Sequence, residues 1–130
     1  MVSLSEGKKG DRNLKEIRVI NTSDLDTSPE TPASETWYIW SICISTDPRE
    51  FLSEIKEVVY HLHPTFPSRE VHVKDRSTDF RFVARGWGEF TIGLEIVDKN
   101  DKKVKLSHEL SLTGRKPLET IYKGDDIKFK

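Results

Sequence analysis

Cysteine is almost absent from this chain: Cys43 stands alone in 130 residues, so neither an intramolecular disulfide nor a cysteine-built zinc site is possible. That excludes the small disulfide-stapled secreted scaffold and fits a reducing compartment, with the cytoplasm as the expected location. Long apolar runs are missing as well. No stretch approaches the ~20 residues that cross a bilayer as a helix, and the opening MVSLSEGKKG lacks the apolar core of a secretory signal. No membrane segment is expected. Nor does charge of one sign prevail: 21 basic against 22 acidic residues leave a net charge of -1, too little to concentrate the protein on nucleic acid. Direct contact with nucleic acid is therefore not expected.

What is present fits one domain, since 130 residues are used up by a single core of ordinary size. With 35% hydrophobic and 33% charged residues, the composition is on the polar side of the globular range, which places part of the length outside the core. Residues 1–14, rich in Ser, Gly, Lys and Asp and without periodicity, are expected as a disordered leader. The domain proper is expected over 15–115, and 116–130 as a tail or an edge strand.

Strand patterns recur through the middle. KEIRVI at 15–20 alternates as a first strand, and NTSDLDTSPETPASE after it has loop composition. TWYIWSICIS at 36–45 is dense in aromatic and β-branched residues and reads as a central strand. Asp47 and Pro48 then suit a helix start, with Phe51, Leu52 and Ile55 at helical spacing over a turn or two. Further strands are predicted at 56–63, 70–74, 80–84, 89–97 and 103–112, the last two joined by the turn residues Lys99-Asn100-Asp101-Lys102. Many short strands, polar turns and almost no helix argue for an all-β, antiparallel two-sheet sandwich.

Two clusters put costly residues at strand ends: YHLHPTFP at 60–67 and RGWGEF at 85–90. Loops at one end of a sandwich converge, so these two segments are candidates for a single site. Trp87 sits between Gly86 and Gly88, which either frees the indole to project or makes a bulge with Trp87 as a core plug. Phe66, between Thr65 and Pro67, either caps the core or presents one wall of a slot.

YHLHPTFP followed about twenty residues later by GWGEF resembles the signature of the YEATS domain, and WSICISTDPREFLSEIKEVVYHLHPTFP resembles its prokaryotic branch. The resemblance implies an immunoglobulin-like sandwich with a narrow end-on channel for acetyl-lysine, crotonyl-lysine or related acyl-lysines on a protein or peptide. It further implies Phe66 and Trp87 as aromatic walls, Thr65 as acceptor from the acyl amide N–H, His63 as the histidine steadying that hydroxyl, the Trp87 backbone N–H as donor to the acyl carbonyl, and Gly86 as the residue that lets the channel stay narrow, with Gly88 as a further ligand-binding position. Thr36 or Trp37 lies near the place of a third aromatic found in some members. Ser107 falls where histone readers often carry an acidic residue. A non-catalytic binding module without metal or cofactor follows from this resemblance.

The residues support such chemistry. Acylation removes the ammonium charge but leaves an amide that costs ~1–3 kcal/mol to bury without hydrogen bonds, so one acceptor and one donor are needed. Competing readings are weaker. His61 and His63 alternate on one strand face without an evident acidic or Cys partner, and a hydrolase triad drawn from His63, Asp75 and a serine has no nucleophile elbow. The alternative of a different class is a structural or scaffold sandwich in a larger signalling protein, its slot filled by core or partner side chains.

Overall fold

A computed structural model describes residues 15–27, 36–114 and 117–130. The expected leader at 1–14 and much of the loop between the first two strands lie outside the described residues. Eight strands form two antiparallel sheets, so the sandwich expected from the sequence is the fold found. In chain order they are β1 Glu16–Leu25, β2 Tyr38–Asp47, β3 Ile55–His61, β4 Glu70–Val73, β5 Phe82–Gly86, β6 Thr91–Asp98, β7 Lys103–Glu109 and β8 Glu119–Lys123. One sheet runs β5-β2-β1-β8 and the other β4-β3-β6-β7.

Period-two alternation decides which side chains meet between the sheets. Ile17 and Val19 of β1 and Trp40, Ile42 and Ile44 of β2 face Val58 and Tyr60 of β3, Ile92, Leu94 and Ile96 of β6, and Val104 and Leu106 of β7, all buried. On β2 the outward Ser41 and Cys43 are buried as well, as befits a central strand flanked by β1 and β5. Tyr60 ties the sheets together: its hydroxyl donates to the Phe80 carbonyl at 2.6 Å, just before β5, and burial pushes that phenol far above its usual pKa.

The first strand is longer than its composition suggested. Asn21 to Leu25, read as loop, continue β1 and pair with residues 38–42 of β2. The polar residues are accommodated because Asn21 is fully buried with partners: its Nδ2 donates to the Ser111 carbonyl at 2.8 Å, and its Oδ1 accepts from the Ser111 N–H at 3.1 Å and lies 2.7 Å from His108 Nε2. The helical turn after β2 is a 3-10 turn, Arg49–Glu54, opened by Pro48 rather than by an Asp47 side-chain cap. Asp47 instead ends β2. The 116–130 segment contributes β8, an edge strand paired with β1.

Candidate functional site

Register brings the two singled-out clusters together. The end of β3 lies beside the start of β6, with His61 opposite Gly93, and the end of β5 lies beside the start of β2, with Gly86 opposite Tyr38. Segments 36–38, 62–69 and 86–90 are thereby gathered at one end of the sandwich. They line a cavity of about 370 Å³, within the range of small-ligand sites and large enough for one long side chain. All six residues singled out by sequence, His63, Thr65, Phe66, Gly86, Trp87 and Gly88, border it.

The two aromatic residues differ in support. Trp87 is 67% exposed, so it is not a core plug. Phe66 is half-buried, with its ring 6.2 Å from Trp40 and 5.6 Å from Phe90, so the core holds its orientation from behind. Both rings border the same space. A rigid ring and a projecting ring suit an occupant with a flat polar group, which gains from stacking on π faces.

The turn after β3 sets the polar chemistry. The Phe66 N–H donates to the His63 carbonyl at 3.0 Å, which folds the segment back, and the Thr65 backbone N–H donates to His63 Nδ1 at 3.2 Å. A backbone N–H only donates, so Nδ1 is an acceptor and the neutral ring carries its proton on Nε2. The Thr65 hydroxyl, 3.0 Å from the same Nδ1, is therefore the donor in that contact, which leaves its oxygen lone pairs for an incoming N–H. The imidazole itself is steadied edge-on to Phe90 at 5.8 Å.

Six further residues line the cavity without having been given a role from the sequence: Trp37, Trp40, Pro67, Arg85, Glu89 and Phe90. Trp40 forms part of the cavity wall from β2 and packs edge-to-face on Phe66, Phe82 and Phe90. Phe90 follows the Gly-Trp-Gly turn, and the apolar character of GWGEF was its only sign in the sequence. Trp37 also borders the cavity, whereas Thr36 does not appear in its lining. Its ring lies under the Arg85 guanidinium at 5.5 Å, and Arg85 Nε in turn donates to the buried Asp26 carboxylate at 2.6 Å. No local pattern announces this arrangement, because Asp26 and Arg85 are 59 residues apart. On β7, Ser107 is bonded through its backbone to the Tyr122 hydroxyl. Further along β7, Glu109 lies opposite Thr91 and accepts from the Thr91 hydroxyl.

His61 and His63 do not converge: His61 faces Glu70 and Glu95 on the outer sheet surface at 3.8 and 3.7 Å, away from the His63 and Thr65 pair. His72 stands beside it, 2.6 Å from Glu57 and 2.8 Å from Glu70. Those carboxylates, Glu70 first, raise the His72 pKa above its ordinary value.

The family model for the prokaryotic YEATS domain matches residues 38–111. The chain belongs to the YEATS domain family. This YEATS domain is 36% identical over 91 residues to the protein AF-9 homolog of Eremothecium gossypii, covering 67% of the chain and 43% of that relative. It is 32% identical over 88 residues to the protein AF-9 homolog of Saccharomyces cerevisiae, covering 65% and 38%. The chain thus spans about two fifths of the length of these curated relatives. Among solved structures, the Yaf9 YEATS domain recognising an H3K122suc peptide superposes with a TM-score of 0.66 at 28% identity, covering 85% of this chain and 80% of that one. The Yaf9 YEATS domain bound to H3K27ac gives a TM-score of 0.66 at 27% identity, covering 85% and 81%. The immunoglobulin-like sandwich is common to them, and YEATS domains are reader modules rather than enzymes. No helix among the described residues is long and apolar enough to cross a membrane.

Proposed function

We propose that this YEATS domain binds an acylated lysine side chain of a protein or peptide in the cavity between Phe66 and Trp87, acting as a recognition module and not as a catalyst. The observation that carries the reading is the Thr65 hydroxyl, directed by His63 so that its lone pairs meet a donor N–H beside two aromatic rings. The amide N–H of an acyl-lysine donates to Thr65, the Trp87 backbone N–H donates to the acyl carbonyl, and Gly86 and Gly88 keep that turn free of side chains. An unmodified lysine is disfavoured because its ammonium would be desolvated, and the Glu89 carboxylate that borders the cavity already accepts from the Leu112 N–H at 2.7 Å. A relative of this domain binds acetylated and succinylated histone peptides, which supports the ligand class. A cytoplasmic location suits a ligand on another soluble protein.

One side chain in a slot buries little area, so affinities in the micromolar range are expected. The test is a titration of lysine peptides, unmodified, acetylated, butyrylated and crotonylated, against the domain and its Trp87→Ala variant by calorimetry. Saturable binding of acylated peptides alone, lost in the variant, supports the reading. No binding at millimolar peptide rejects it and leaves the scaffold role.

A further inference from the structure

Trp40 is 1% exposed, and its Nε1 is the one buried side-chain nitrogen or oxygen among the described residues without a hydrogen-bond partner. An unpaired buried donor is costly and uncommon in folded proteins. Phe66, Phe82 and Phe90 surround the indole at 5.9 to 6.2 Å, and a phenyl ring is at best a weak acceptor. The same indole borders the cavity.

The donor lies under Gly86. A Cβ on Gly86 would stand 3.4 Å from Nε1, whereas one on Gly88 would meet nothing within 4 Å. Gly86 therefore stands next to the donor without a side chain, and the turn it begins borders the cavity. A slight shift of that turn admits a small oxygen to the indole N–H, where any larger residue at position 86 would cap it.

We infer that Trp40 is a specificity-determining donor of the channel, selecting acyl-lysines that carry a neutral oxygen acceptor beyond the amide. The inference rests on the acyl-lysine reading above and names the acyl class. A hydrocarbon acyl end leaves the N–H unpaired, while an oxo oxygen satisfies it and brings no donor of its own to bury. An acyl carboxylate is disfavoured: Arg85 is already engaged by the Asp26 carboxylate at 2.6 Å, Glu89 lines the same cavity, and a lone neutral donor does not offset burial of an anion.

The test uses the whole chain and peptides identical except for butyryl-, 3-oxobutyryl- or succinyl-lysine. The three tryptophans give three indole N–H resonances, and Trp37→Phe and Trp87→Phe variants assign that of Trp40 by elimination. The expected result is about tenfold tighter binding of 3-oxobutyryl- than butyryl-lysine, the worth of one buried hydrogen bond, with a downfield shift of the Trp40 resonance for the oxo ligand alone. Replacing Trp40 by β-(3-benzothienyl)alanine, which has sulfur in place of N–H, should bring the affinity ratio close to one. If that variant does not fold, the wild-type resonance decides. Equal affinities with no selective shift overturn the inference while leaving the reader function standing, and so does a preference for succinyl-lysine. Failure of every acylated peptide to bind overturns both.

Discussion

At the scale of single residues, the Thr65 hydroxyl and the His108 imidazole make opposite demands on the protein. Thr65 is exposed with its hydroxyl 3.0 Å from His63 Nδ1, so Thr65→Ala should weaken acetyl-lysine binding about tenfold and leave the thermal midpoint nearly unchanged; calorimetry and a melting curve read the two separately. His108 is 2% exposed, with Nε2 donating to Asn21 Oδ1 at 2.7 Å and Nδ1 beside the Thr120 hydroxyl at 2.8 Å. Burial lowers its pKa below the ordinary 6.5. The unfolded chain therefore takes up this proton before the folded one does, and stability present above pH 6.5 is lost as the pH falls below it. His72, raised by its carboxylates, has the reverse dependence: its contribution is present below pH 6.5 and fades as the pH rises through the raised value. Between pH 8 and pH 5, the denaturant midpoint of His108→Gln should therefore lose less toward acid than that of the unaltered protein, with the His72 contribution common to both.

Elements meet in this protein through a few cross-sheet ties. The Tyr60 hydroxyl on β3 holds the Phe80 carbonyl ahead of β5, and β5 delivers Gly86 and Trp87 to the cavity. Tyr60→Phe should cost about 1–2 kcal/mol in denaturant unfolding, since a buried carbonyl loses its donor. The Arg85 side chain on β5 reaches both the Asp26 carboxylate, 1% exposed, and the Trp37 ring. Arg85→Ala should destabilise by about 1–3 kcal/mol, through a weakened buried ion pair and a lost cation–π contact. The same variant should also loosen Trp37 at the cavity, visible as a change in Trp fluorescence on ligand binding.

For the whole molecule, near-neutral charge and a ligand group without charge make electrostatic attraction a minor part of binding. The affinity for a neutral acetyl-lysine peptide should change by less than about twofold between low and moderately high salt, whereas a steep salt slope would point to phosphate or basic-peptide contacts. The sandwich itself was legible because the dense aromatic and β-branched run of TWYIWSICIS and the short strand patterns set between polar turns survive whatever the strands pack against. The continuation of β1 through Asn21 to Leu25 was not. Its polar composition matches a loop, and it becomes strand only because Asn21 finds Ser111 and His108, residues 90 and 87 positions away.

The sequence alone determined the all-β class and the two motif segments, because turn chemistry and strand patterns are local properties of the chain, and the resemblance to the YEATS signature pointed to six of the residues that border the cavity. Tertiary structure alone decided which way His63 holds Thr65, that Trp37 rather than Thr36 lines the site, that Arg85 is tied to Asp26, and that Trp40 Nε1 is left unpaired. Each of these depends on distances between segments far apart in sequence, set by strand register and by packing between two sheets, and no local pattern encodes such distances.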